Sequence, residues 1–275
     1  MDRSAESQFR LVERSGLPVL EWPIFDGHPV KAVVTTRQGG VSAGPYHSLN
    51  LGLHVGDEPS AVVENRRRAA AAAGLTLDDL VFCNQSHGRS VTGITAADRG
   101  RGARTLDDAI PDSDALVTDE PNLGLVVMVA DCVPIVLFDQ DSPSLACVHA
   151  GWRGTVARVV EAAIETMQAR GADSGRILAA IGPAISPDRY EVGDDVKAAA
   201  EESFGAMAEG VLTAAAGGKW LFDLWTANRR LLVEAGVRPE NISLAALGTG
   251  DGRFFSDRTA RPCGRFAAIA RLDAG

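Results

Sequence analysis

Positive charge is in short supply in this chain. Its 275 residues hold 27 lysines and arginines against 36 aspartates and glutamates, for a formal net charge of -9. No broad basic face is available to release counterions, which argues against a nucleic-acid partner. The only basic run, Arg66-Arg67-Arg68, lies in a helical pattern and reads as a solvated helix face. Long hydrophobic runs are also missing. The longest, residues 123–138, is interrupted by Asp131 and Pro134 and is too short to span a bilayer, so no membrane role is expected. The N-terminus is polar and charged and has no apolar core of a secretory signal. The four cysteines, Cys83, Cys132, Cys147 and Cys263, have no disulfide-framework spacing, and a reducing, cytoplasmic setting is the expectation. There is no Gly-x-Gly-x-x-Gly after a strand and no Walker-type phosphate loop, which removes the two commonest nucleotide-cofactor readings.

What is present is an apolar fraction of 45% with 23% charged residues, enough for a sizeable core. Strand-like and helix-like runs alternate without repeats or a break in composition. Residues 30–36 are β-branched and read as a strand, and the Gly- and Pro-rich stretch 39–45 then forces a loop. Residues 60–73 are rich in helix formers, with Gly74 placed as a left-handed cap. Apolar runs at 124–129, 134–138 and 145–149 predict buried strands. Thr155 is the expected N-cap of a helix that Gly171 ends. Further on, 176–181 reads as a strand and Asp223 as the cap of a helix stopping near Gly236. Residues 242–247 and 266–272 read as final strands. A single α/β or α+β domain over 1–275 follows, with residues 1–20 as a flexible N-terminal extension.

Three short strings carry chemistry: Asn84-Gln85-Ser86-His87-Gly88, Val129-Ala130-Asp131-Cys132-Val133-Pro134 and Val148-His149-Ala150-Gly151-Trp152-Arg153-Gly154. Each places one borderline or soft metal ligand beside an apolar run. Two imidazoles and one thiolate leave a tetrahedral metal one open position, as in a catalytic zinc site. Alternation along a strand puts Cys147 on the same face as His149, so spacing alone leaves Cys147 and Cys132 both open as the thiolate ligand. Asp131 lies inside an otherwise apolar stretch, where an ionised carboxylate is costly unless bonded. Arg153, at a strand–turn–helix junction, suits a phosphate or other oxyanion.

These strings resemble the YfiH-type family, known as multicopper polyphenol oxidoreductase (laccase domain) proteins and as purine nucleoside phosphorylases. The resemblance also takes in Thr35-Thr36-Arg37-Gln38-Gly39-Gly40-Val41-Ser42, Ser48-Leu49-Asn50-Leu51-Gly52-Leu53-His54-Val55-Gly56-Asp57, Asp114-Ala115-Leu116-Val117-Thr118 and Ile181-Gly182-Pro183-Ala184-Ile185. It implies an α/β/β/α sandwich with mixed sheets, distantly similar to bacterial toxin cysteine hydrolases. It implies that His87, Cys132 and His149 bind one catalytic zinc. The implied reactions are phosphorolysis of adenosine, inosine and methylthioadenosine, and deamination of adenosine. Ser186, Asp188, Gly248-Thr249 and Ser256-Asp257-Arg258-Thr259-Ala260 depart from the family pattern without removing a ligand.

On this reading Cys132, Arg37 and Arg153 are the catalytic candidates, the two arginines holding phosphate. Asn50, Asp131 and Arg153 are the substrate-binding ones. Purine nucleosides and phosphate are the partners, with no obligatory protein partner. Copper is the alternative metal, since two His and one Cys with a weak axial Met, here Met128, also describe a blue-copper site. The five histidines, His28, His47, His54, His87 and His149, contain no His-x-His pair from which to build a multicopper centre. The nucleobase-deaminase pattern His-x-Glu with Pro-Cys-x-x-Cys is absent as well. A second enzyme class uses Cys132 as a nucleophile with His149 or His87 as base, in an amidase-type hydrolase that edits peptidoglycan precursors among other amides. A metal-stabilised binding module is the non-enzyme reading, and it needs a fourth ligand that the three strings do not supply.

Overall fold

The computed structural model describes residues 8–274. In chain order the strands are β1 (Arg10–Arg14), β2 (Leu17–Glu21), β3 (Val30–Thr35), β4 (Leu80–Phe82), β5 (Val91–Gly93), β6 (Ala115–Thr118), β7 (Gly124–Val129) and β8 (Val133–Asp139). They continue as β9 (Ser144–Ala150), β10 (Ile177–Ile181), β11 (Glu191–Val192), β12 (Leu212–Ala214), β13 (Trp220–Phe222), β14 (Ile242–Leu244) and β15 (Phe266–Leu272). The helices are α1 (Pro59–Ala72), α2 (Trp152–Val156), α3 (Val159–Gln168), α4 (Asp194–Phe204) and α5 (Leu224–Glu234).

One six-stranded sheet has the order β1-β2-β3-β15-β7-β4, and a second has the order β14-β10-β8-β9-β6-β5. Both mix parallel and antiparallel neighbours. Alternation along the strands builds three cores. Val127 and Ala268 of the first sheet meet Val136, Leu145 and Cys147 of the second. Val126 and Ile269 on the opposite face pack against Ala69 and Ala70 of α1. Ile135 and Val148 pack against Val160 and Ile164 of α3 and Leu231 of α5. The molecule is therefore a helix–sheet–sheet–helix sandwich, the layering expected of the family resemblance. Because both faces of the central strands are covered, their sequences read as unbroken apolar runs. No described helix is long and apolar enough to cross a membrane.

Several expectations need correction. The N-terminal extension does not reach residue 20, because β1 and β2 form an antiparallel hairpin on the edge of the first sheet; residues 1–7 of that extension lie outside the described residues. Thr155 does not cap a helix. The turn begins earlier, with Gly151 as N-cap of α2, and a left-handed Arg158 (φ 64°) separates α2 from α3. The last short strand ends at Leu244 rather than 247.

The Arg66–Arg68 run is only partly solvated. A 100° step per residue turns Arg66 inward with Val62, Asn65, Ala69 and Ala70, while Arg67 and Arg68 pair with Glu64 on the outside. Arg66 is wholly buried and meets no carboxylate among the described residues. Its guanidinium donates to the carbonyls of Leu51 and Ala103 at 2.8 and 3.1 Å and lies 3.9 Å from the centre of the Phe82 ring.

Candidate metal centre and its cavity

Three connections at one end of the sandwich bring the ligand strings together. His149 is near the end of β9. Cys132 lies in the short crossing from β7 in one sheet to β8 in the other, and His87 follows β4. The nitrogen and sulfur atoms these side chains offer all lie within 4.8 Å of one another. The two imidazole rings have centroids 4.8 Å apart and planes at 80°. Small side-chain rotations would bring such atoms to the roughly 3.5 Å separations of a tetrahedral zinc with Zn–N near 2.0 Å and Zn–S near 2.3 Å. The donor set and its spacing fit a metal ion.

The thiol that reaches the histidines is Cys132. Cys147 points into the core between the sheets, where its Sγ–H meets the Leu125 carbonyl at 3.5 Å. Gly151 makes the approach possible. A Cβ on it would stand 2.9 Å from Cys132 Sγ and 3.1 Å from His87 Cδ2.

The loops are held from behind. Gln85 pairs its side-chain amide with the backbone of Met128, donating to its carbonyl and accepting from its N–H, each at 2.8 Å. Asp114, fully buried, gathers four donors: Nδ1 of His149 at 2.8 Å, the backbone N–H groups of His87 and Gly88 at 3.0 and 2.6 Å, and the Ser86 hydroxyl at 3.1 Å. His87 takes a left-handed backbone (φ 61°) and Asp131 another (φ 90°), conformations that non-glycine residues adopt only when their surroundings impose them.

Charge follows geometry. Burial raises the Asp114 carboxyl, but the hydrogen bond and charge of His149 and the two backbone donors outweigh it and bring it down to about 2. Burial also pushes the Cys132 thiol up. The charge of His149 and hydrogen bonds from His149 and His87 more than offset this and draw it down to about 6. His149 is held above its ordinary value: burial opposes its charge, while Cys132 and Asp114 stabilise it. In metal-free protein, alkylation of Cys132 by iodoacetamide should therefore rise with a midpoint near pH 6, and bound zinc should suppress it. A midpoint near the ordinary thiol value, with no protection by metal, would contradict this account.

A cavity of about 570 Å³ opens on the cluster. Its lining includes Leu106, Val129 and Ala130, the polar Asn84, Gln85 and Tyr190, His54, and the arginines 258, 261 and 265. Burial and the charge of Cys132 raise the Tyr190 phenol, so it stays protonated and can donate.

The other residues singled out from the sequence fare unevenly. Asp131 lines the cavity, but its carboxylate is already engaged: Oδ2 accepts the Arg258 backbone N–H at 2.7 Å and Oδ1 accepts the Thr249 hydroxyl. Asn50 does not line the cavity. It is buried, accepts the N–H groups of Gly52 and Arg265 at 2.9 and 2.8 Å, and donates to Asp57. Arg37 does not line the cavity either, because its guanidinium clamps the His47 carbonyl at 2.7 and 2.9 Å and lies 4.6 Å from the Phe255 ring centre. Arg153 is exposed, stacked 4.4 Å from the Trp152 ring, and outside the cavity lining, although its charge reaches Tyr190. The sequence reading gave no role to Asp114, Tyr190 or the three cavity arginines. The spacing of Arg258, Arg261 and Arg265 in an acidic chain was the signal available.

Over residues 31–273 the sequence matches the family described as multi-copper polyphenol oxidoreductase laccase. The chain belongs to this family. A purine nucleoside phosphorylase of Deinococcus radiodurans is 42% identical over 222 residues, covering 81% of this chain and 80% of that protein. A protein named adenosine deaminase RL5, from an unknown prokaryote, is 40% identical over 213 residues, covering 78% and 81%. The crystal structure of YlmD from Geobacillus stearothermophilus superposes with a TM-score of 0.92 at 35% identity, covering 98% of this chain and 100% of that one. The YfiH protein of Bacillus licheniformis gives the same TM-score at 33% identity.

Proposed function

We propose that this chain is a zinc-dependent purine nucleoside phosphorylase that also deaminates adenosine. The observation that carries this reading is the His87–Cys132–His149 cluster opening onto a cavity with both an apolar and a cationic wall. Its volume, about 570 Å³, lies within the range of small-molecule sites. Relatives named for phosphorolysis and for deamination, at about 40% identity, support the same substrate class.

A zinc ion held by the three ligands would supply Lewis-acid polarisation at its open position. The chain's own residues do the rest. Asp114 fixes the ring of His149 so that Nε2 faces Cys132. Leu106 and Val129 offer apolar surface to a purine, and Tyr190 offers a hydrogen-bond donor. In phosphorolysis a phosphate oxygen bonds to C1′ of the ribose as the bond from C1′ to the purine nitrogen breaks. The bonding pair leaves with the purine, which takes up a proton. In deamination water adds at C6 and ammonia leaves. The substrates proposed are adenosine, inosine and methylthioadenosine. The cluster supplies three ligands and the described residues hold no second such group, which does not match the several copper sites of a multicopper oxidase.

The test is chromatography of the products from adenosine incubated with zinc-loaded protein, with and without phosphate, beside Cys132→Ser. Adenine release that requires phosphate and disappears in the variant is expected. A fully zinc-loaded protein that yields neither adenine nor inosine would sink the proposal.

One arrangement favours a second reading. Cys132, His149 and Asp114 are linked in the order of a thiol nucleophile, a base and its orienting acid, as in amidase-type hydrolases. Peptidoglycan precursors are among the amide substrates of that reading. Zinc removal separates the two, since it should abolish the first activity and spare the second.

A further inference from the structure

One wall of the cavity carries charge that the metal cluster does not use. Arg258, Arg261 and Arg265 all line it, in a chain with 36 acidic and 27 basic residues. The acidic residue of the same segment, Asp257, is shared between two of them. It accepts from Arg261 Nε at 2.7 Å, and Arg265 Nη2 stands 3.5 Å from its other oxygen. Arg258 has no carboxylate partner among the described residues. Its Nη1 donates to the Glu191 carbonyl at 3.0 Å and its Cζ lies 5.1 Å from the centre of the Tyr190 ring, while Nε and Nη2 meet no acceptor among the described residues. Asp131 faces the same space with both oxygens engaged, one of them by the Arg258 backbone N–H. That bond ties the Arg258 backbone to the residue preceding Cys132, and Arg258 lines the same cavity as the ligand cluster. The positive field extends further: Arg265 and the wholly buried Arg66 both act on His54 at the cavity, which burial and these charges hold neutral, at about 4.

We infer that Arg258 and Arg265 form an oxyanion subsite in this wall, and that its ligand is the phosphate co-substrate. The inference rests on the phosphorolysis reading. Forked guanidinium donors match phosphate oxygens in geometry and form charge-assisted hydrogen bonds with them. Arg261, with its side chain 77% exposed, stands at the rim and draws anions inward.

The experiment is calorimetric titration of the zinc-loaded, full-length protein with inorganic phosphate and, separately, with adenosine 5′-monophosphate. The phosphate KM of adenosine cleavage is measured alongside. Arg258→Gln and Arg265→Gln should each weaken phosphate binding and raise that KM by about 10- to 100-fold. Arg258→Lys should recover part of the loss, and Arg67→Gln, which removes a charge on the outer face of α1, should change neither. Phosphate affinity and KM unmoved in both glutamine variants would overturn the subsite while leaving phosphorolysis intact. Arginine-dependent phosphate binding by a protein that never cleaves adenosine would keep the subsite and overturn phosphorolysis. Binding of the nucleotide but not of free phosphate would overturn assignment of the site to the co-substrate.

Discussion

Gly151→Ala should weaken the metal binding proposed for this protein while leaving the fold in place. The backbone at Gly151 (φ −74°, ψ 173°) is one that alanine adopts freely, so the substitution carries no conformational strain. Its cost is steric and local. The new methyl would stand 2.9 Å from Cys132 Sγ and 3.1 Å from His87 Cδ2, displacing two of the three ligands together. Overpacking of this kind typically costs about 1–3 kcal/mol, and the gain from restricting the unfolded chain offsets about 0.4–1 kcal/mol of that. Metal affinity has no such offset. Displacing two ligands by a large part of an ångström should lower zinc affinity and turnover by roughly 100-fold or more. Competition with a chelating dye, beside thermal unfolding of the metal-free protein, measures both. Wild-type zinc affinity in the variant would show that the cluster closes on metal from another direction.

Asp114→Asn is the second large effect expected. Four donors converge on this one carboxylate, and an amide can accept only at its oxygen while turning its own N–H groups toward some of them. His149 loses the partner that fixes its tautomer and ring orientation, and losses of this kind lower metal affinity by about 10- to 100-fold. Stability should change with a defined pH signature. The carboxyl is lowered in the fold from 3.8 to about 2, a difference equivalent to about 2 kcal/mol. Its contribution is present above the unfolded value and is lost as pH falls through the folded one. Unfolding of metal-free wild type should thus lose stability between about pH 4 and pH 2, and the variant should lack that component. Identical acid profiles for the two proteins would remove Asp114 from this account.

Most of the strands were legible because sheets covered on both faces need apolar residues at every position, and β7, β8 and β9 show that directly. The helix starts were less so. At α2 a glycine N-cap left no side-chain signal, so the polar Thr155 drew the boundary four residues too late. The outline of the candidate metal centre was visible in three strings, yet the choice between two cysteines was not. Cys147 and His149 share a face, and what separates them is depth: two residues along a strand is about 6.6 Å. That places Cys147 in the core between the sheets and His149 at the open end. That Arg37 lies outside the cavity lining was hidden for a related reason. A guanidinium beside a glycine-rich loop looks free in sequence, but the fold brings the His47 carbonyl into its fork.

The sequence by itself determined the layered mixture of strands and helices and the stock of ligands. Both depend on residue type and short spacing, through apolar periodicity and through the chemistry of imidazole and thiolate. Only the tertiary structure decided that Asp114 orients His149, that Gly151 opens room for Cys132, and that residues 257–265 supply the cationic wall. These are contacts between segments 19 and more residues apart in the chain, Gly151 and Cys132 being the nearest and Asp114 and His149 lying 35 apart. They exist because the crossing from β7 to β8 and the loops after β4 and β9 lie at the same end of two stacked sheets. No local pattern encodes that meeting; the packing of the sheets does.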